Sequence, residues 1–179
     1  MLGDFYFASG DLDKAVAEYE SVYKDHPKDI QTKKNYIQLL ILRNRLDEAR
    51  RLDDEILKNS PQDNEALIYK GQIKMRDGHL DEAVNALQAA LKSDPDNAVA
   101  HYHLGLAFDQ QGSLSRAESE WRNAVRLKPD LIEAQRALAA VSIRKNDWDN
   151  LRQIATTIIQ AQPNSPDGYA MTSRHLWPF

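Results

Sequence analysis

Between Asp81 and Pro95 the apolar residues Val84, Leu87 and Leu91 recur every three or four positions, with Ala83, Ala86 and Ala90 beside them. That spacing marks one face of an amphipathic helix. The stretch opens on an acidic residue and closes on a proline, which cannot continue a helix. The same pattern is written again from Asp13 to Pro27, Asp47 to Pro61, Ser115 to Pro129 and Asp149 to Pro163. Pro27, Pro61, Pro95, Pro129 and Pro163 stand 34 residues apart each time. A fixed period of this length means a row of similar supersecondary units, each needing a neighbour to bury its apolar face.

Setting the closing proline at position 32 places repeat starts at Ile30, Asn64, Ala98 and Ile132. Position 15 is then Gly10, Asn44, Gly78, Gly112 and Asn146, the two residue types that best tolerate the left-handed conformation ending a helix. Position 17 is apolar throughout: Leu12, Leu46, Leu80, Leu114 and Trp148. Position 18 is Asp13, Asp47, Asp81, Ser115 and Asp149, predicted here to be the N-caps of the second helices. Each repeat therefore reads as helix, tight turn, helix and a short loop carrying proline.

Small residues mark where the paired helices meet. Position 8 is Gly3, Ile37, Gly71, Gly105 and Ala139, and position 20 is Ala15, Ala49, Ala83, Ala117 and Leu151. Larger side chains are predicted to fill the rim of that contact: Tyr6, Leu40 and Phe108 at position 11, and Tyr19, Leu87 and Trp121 at position 24. Taken together these marks resemble the tetratricopeptide repeat family, and the fourth repeat carries them best in Leu104, Gly105, Phe108, Ala117, Trp121, Ala124 and Pro129. The resemblance implies an all-α fold, an α-solenoid of about five 34-residue helix-turn-helix repeats plus a terminal helix. It also implies that the helix pairs stack into a right-handed superhelix. On this reading the chain is a single array: a partial repeat over 1–29, repeats at 30–63, 64–97, 98–131 and 132–165, and a sixth repeat or terminal helix begun at 166–179.

Two repeats depart from the size rule. The second has Ile37 at position 8 and Asp53 at position 24, so its helices are expected to sit further apart. The fifth exchanges large and small, with Leu151 at position 20 and Ala155 at position 24, a swap that conserves volume. Both are expected to fold. The last stretch, His175-Leu176-Trp177-Pro178-Phe179, is largely apolar. It reads either as part of a slice of a longer array or as a tail that docks on another molecule, a second copy included.

Composition narrows the function. The chain has a net charge of −4, with no basic stripe for nucleic acid and no polybasic membrane patch. It has no cysteine, which excludes disulfides and zinc–thiolate sites and leaves cytoplasm and periplasm both open. No apolar run approaches the length of a membrane span. His101 and His103 stand two residues apart, whereas helix residues that share a face stand three or four apart, so they make a poor metal pair. The run Asp53-Asp54-Glu55 points in successive directions along a helix and is expected on a solvated face. No phosphate-binding glycine motif occurs. No catalytic residue, cofactor or metal is expected, and the chain reads as a non-enzyme.

What remains is the inner face of the first helices. If the array curves as the family's arrays do, positions 2, 5, 9, 12 and 13 line it. The candidate partner-binding residues are Lys34, Gln38, Ile41, Ile68, Gln72, Met75, Tyr102, Leu106, Asp109, Arg136 and Ile143. Apolar residues flanked by cations suit an extended or helical peptide; equally, some of them could serve to pack adjacent first helices. Tyr102→Ala and Met75→Ala are expected to weaken a partner without changing the fold. Some members of the family hold chaperone C-termini in a clamp of lysines, asparagines and an arginine. The matching positions here are Lys34, Gln38, Tyr69, Val99 and His103, and only Lys34 is the residue that clamp needs. The predicted function is thus a scaffold that binds a protein or peptide, with assembly through the chain's ends as the alternative. RNA binding, the remaining alternative, is opposed by the acidic balance.

Overall fold

The computed structural model describes residues 2–161, 163 and 168–170. Among them it contains ten α-helices and no strand. The contacts divide the chain into two compact units, residues 1–95 and 96–179. The first unit holds α1 (Leu2–Ala8), α2 (Leu12–Asp25), α3 (Ile30–Leu42), α4 (Leu46–Asn59), α5 (Asn64–Arg76) and α6 (Leu80–Ser93). The second holds α7 (Ala98–Gln110), α8 (Leu114–Leu127), α9 (Ile132–Lys145) and α10 (Trp148–Ala161), followed by a helical turn at 168–170. Within each unit every helix packs on the next, and α3 also lies against α5. No helix among the described residues is long and apolar enough to cross a membrane.

The predicted turns are present. Gly10, Asn44, Gly78, Gly112 and Asn146 all have φ between 55° and 80°. Each ends its helix with the next residue's N–H reaching back over a full turn, as from Asp11 to the Tyr6 carbonyl and from Asp147 to the Ser142 carbonyl, both 2.9 Å. The helix starts differ from expectation. The second helices begin at position 17, so Asp13, Asp47, Asp81 and Asp149 lie inside the first turn and are not caps. Their charge still suits the positive end of the helix dipole. The caps with side-chain bonds to backbone N–H sit elsewhere: Asp29, Asp63 and Asn97 open α3, α5 and α7, and Asp11 opens α2.

Position 24 does not fill the rim of the helix contact; it fills the space a glycine leaves. A Cβ built on Gly105 would come within 2.4 Å of the Trp121 Nε1, one on Gly71 within 2.6 Å of the Leu87 Cγ, and one on Gly3 within 2.7 Å of the Tyr19 ring. Trp121 is 2 % exposed, and its indole N–H donates to the Tyr102 carbonyl at 3.2 Å. Ala15, Ala49, Ala83, Ala117 and Leu151 at position 20 are wholly buried.

The second repeat shows what happens when the glycine is replaced. Ile37 is buried and takes the volume itself, and the backbones of α3 and α4 approach each other less extensively than those of α5–α6 or α7–α8. Asp53 stands where a large apolar side chain was expected and is 2 % exposed. It is therefore a core residue and not part of a solvated acidic face. In the fifth repeat Leu151, Ala155 and Ile158 are all fully buried, so the exchanged sizes pack.

Candidate functional site

In the first unit the predicted face is only partly open. Ile41, Ile68 and Met75 are 2, 4 and 9 % exposed. Ile41 joins the cluster that contains Tyr69 and Ile73 of α5, because α3 and α5 pack directly together. These three side chains are core residues before they are anything else, and truncating Met75 removes packing as well as any partner contact. Lys34 is also committed internally. Its Nζ lies 2.9 Å from Asp63 and 2.7 Å from Glu65. Burial works to lower its pKa, but the hydrogen bonds to Glu65 and Asp63 outweigh it and hold the ammonium above its ordinary value. A clamp cation would have to be free, and this one is already neutralised.

What stays accessible there is a recess of about 170 Å3 lined by Asp4, Phe7, Tyr19, Asn35, Gln38 and Leu39. Its floor is a short polar relay in which the Asn35 side-chain N–H donates to the Tyr19 hydroxyl at 3.2 Å and that hydroxyl donates to Asp4. Burial raises the Tyr19 pKa, and the bond to Asp4 adds to the effect. Phe7 and Gln38 stand exposed at the mouth, and Gln72 on α5 is half-buried. The recess can offer an amide and a carboxylate to polar groups and an aromatic edge to an apolar one. Of its residues only Gln38 is among the partner-binding candidates read from the sequence, and Tyr19 is there as a packing residue. Asp4 and Phe7 occupy positions 9 and 12 of the first repeat, so the period itself pointed to them.

In the second unit the face on α7 and α9 is more open. Tyr102, Leu106 and Asp109 are half-buried, Arg136 is exposed, and Val99 and Ile143 are about two-fifths exposed. Asp109 accepts from Arg144 at 3.1 Å. Burial raises the Tyr102 hydroxyl pKa, with Glu133 adding and Arg136 opposing. The two histidines go separate ways: His101 Nδ1 sits 2.6 Å from Glu120 across to α8, while His103 Nδ1 is buried with no hydrogen-bond partner among the described residues and burial pulls its pKa down to about 4. Among the described residues no three His, Asp or Glu side chains converge as a metal site would require.

Repeated antiparallel helix hairpins, each with a tight left-handed turn and a small-against-large core contact, define a helical-repeat protein of the kind that presents surfaces to partners. Two family models describing tetratricopeptide repeats match the sequence, one over residues 6–73 and one over residues 70–132. Together they span residues 6–132, and the chain belongs to the tetratricopeptide repeat family. Among solved structures it is similar to a thermophilic tetratricopeptide repeat protein of Thermus thermophilus, at 20 % identity and a TM-score of 0.85 over 98 % of this chain and 96 % of that one. It is also similar to pilF of Pseudomonas aeruginosa, at 15 % identity and a TM-score of 0.71 over 95 % and 78 % of the two chains. A third similarity is to MamA of Desulfovibrio magneticus RS-1, at 22 % identity and a TM-score of 0.64 over 92 % and 93 %. No curated protein matches the sequence. Repeats of this family build protein-interaction scaffolds, typically without catalytic activity.

Proposed function

We propose that this protein holds a peptide segment of a partner protein against the first-helix faces of its units. One observation carries the reading. Side chains that the core does not use stay accessible at the predicted positions, Gln38 with Phe7 in the first unit, and Tyr102, Leu106 and Ile143 with Val99 in the second. Lys34, Ile41, Ile68 and Met75 shape that surface from beneath; Gln72, Asp109 and Arg136 supply polar contacts at its surface. An extended or short helical segment with apolar anchors and amide-bonding polar groups suits this mixture. The test is panning of a displayed peptide library on the full chain, then titration of the recovered peptides against Phe7→Ala, Gln38→Ala and Tyr102→Ala. Loss of about tenfold in affinity or more in at least one variant, with an unchanged helical spectrum, is the expected result. Recovered peptides that bind all three variants like the parent would refute it.

An assembly role has its own support. Leu2, Phe5 and Phe7 of α1 are 52, 65 and 44 % exposed, an apolar surface on one short helix. Size exclusion with light scattering across a concentration series tests self-association there. Association that disappears in Phe5→Glu supports this role; a monomer at every concentration removes it. The apolar tail at 175–179, the other end assigned to assembly, lies outside the described residues.

A further inference from the structure

The second unit carries a recess that the first-helix reading does not touch. It has a volume of about 320 Å3 and is walled by Arg122, Val125 and Arg126 of α8 and by Asn150, Gln153, Ile154 and Thr157 of α10, with Gln135 and Leu138 of α9 between them. None of the residues proposed for the first-helix face lines it. Among the described residues no carboxylate lines it either, in a chain whose net charge is −4.

The polar groups in it are unevenly satisfied. Arg122 donates to Glu118 at 2.8 Å on its own helix, and Glu118 is also held by Lys145. Arg126, one turn further along, makes no hydrogen bond or ion pair with the described residues. Asn150 donates to the Ser142 hydroxyl at 2.7 Å, and the Thr157 hydroxyl donates to the Gln153 carbonyl at 3.0 Å. Gln135 is 1 % exposed; its amide N–H donates to the Pro129 carbonyl, and its Oε1 has no partner among the described residues. Val125, Leu138 and Ile154 supply an apolar floor among these groups.

We infer that this recess between α8 and α10 is a second docking site, and that its occupant is an acidic peptide segment with an apolar side chain close to a carboxylate. The charge is the first reason. An unpaired guanidinium beside a half-committed one, with no acid in the lining, is complementary to a carboxylate and matches its forked geometry. The floor is the second, since Val125, Leu138 and Ile154 can bury an aliphatic side chain but not a second charge. A peptide segment offers an aliphatic side chain held next to a carboxylate, and a bare small anion does not.

The probe is a set of fluorescein-labelled peptides in which one leucine and one glutamate are separated by one to four alanines. Each is titrated against the full chain by anisotropy, beside versions with lysine in place of the glutamate. At least one glutamate spacing is expected to bind about tenfold more tightly than its lysine counterpart, and more weakly as salt is raised. In Arg126→Glu that preference is expected to reverse, with the helical spectrum unchanged. Ile154→Ala should weaken the favoured peptide, whereas Tyr102→Ala and Phe7→Ala should leave it unaffected; those two variants report the first-helix face. Absence of binding at every spacing overturns the inference, as does a glutamate preference that survives Arg126→Glu. Competition by free acetate at the concentration that suffices for the peptide would show a bare anion site and also overturn it. Loss of binding in Tyr102→Ala alone would assign the peptide to the first-helix face instead.

Discussion

The α7–α8 and α3–α4 hairpins follow the same 34-residue frame and fill the same space in opposite ways. In α7–α8 the first helix gives up its side chain at Gly105, and Trp121 from the second helix occupies the gap. In α3–α4 the first helix supplies Ile37, and the second is left with the short Asp53 where the indole would stand. Volume is roughly conserved, but the chemistry is not. The first arrangement buries an indole whose N–H has a carbonyl to meet. The second buries a carboxyl whose Oδ1 has no hydrogen-bond partner among the described residues. Burial, with Asp54 and Asp63 adding and Lys70 opposing, pushes the Asp53 pKa up to about 8. Position by position, a repeat frame specifies how much room there is, and the residue in that room decides whether the hairpin is a stable module or a sensor of its surroundings.

The comparison can be broken from the α7–α8 side by Trp121→Ala, which leaves the Gly105 gap empty. It should cost ~3–5 kcal/mol in urea unfolding. A smaller loss would mean that α7 and α8 close over the vacancy.

On the α3–α4 side the test is pH. An aspartate whose folded pKa is raised binds its proton more tightly when folded. The stability this supplies is complete below the unfolded value near 3.8 and is lost as pH rises through about 8. Asp53→Asn should therefore remove a decline of roughly 3–4 kcal/mol between pH 4 and 7, seen as a flatter urea-midpoint profile. An unchanged profile would show that Asp53 reaches water or a cation in solution.

His103 gives α7–α8 a titration of the other sign. Its folded pKa is lowered from 6.5 to about 4, so its stability is present above 6.5 and declines as pH falls through that window. His103→Gln should spare about 2 kcal/mol at pH 5 while changing little at pH 8.

Crowding the helix contacts tests the size rule itself. Gly105→Ala and Ala83→Leu should each cost ~1–3 kcal/mol by overpacking. Gly78 provides the control: a Cβ there meets nothing within 4 Å, but its φ is +79°. Gly78→Ala should cost only the ~1 kcal/mol of a left-handed alanine. If the control loses as much as Gly105→Ala, backbone strain rather than packing governs both.

Much of this was legible in the sequence. Gly10, Asn44, Gly78, Gly112 and Asn146 marked the turns because a positive φ is a local requirement that few residues meet. The helix caps were misplaced by a few residues. An aspartate at position 18 and one at position 16 or 34 look alike on paper, and only backbone geometry shows that Asp29 and Asp63 accept the first N–H groups. The partner face was legible as a set of positions, but not as a surface. Ile41, Ile68 and Met75 could not be told from Tyr102 and Ile143 by spacing, since exposure depends on what the neighbouring helix brings. Nothing in the local pattern around Arg126 or Gln135 marked them as lining a common recess.

The sequence alone therefore determined the period, the turns and the small-against-large contacts inside a helix pair, because these follow from chain geometry and the size of side chains within one repeat. Tertiary structure alone decided which groups are spoken for. Lys34 is neutralised by Asp63 and Glu65, about thirty residues further along the chain. Asp53 is stranded by the helices packed around it, and Arg126 makes no ion pair among the described residues. Charge and burial are properties of a side chain's neighbours in space, and a 34-residue repeat brings those neighbours from the next turn of the architecture rather than from the next turn of the helix.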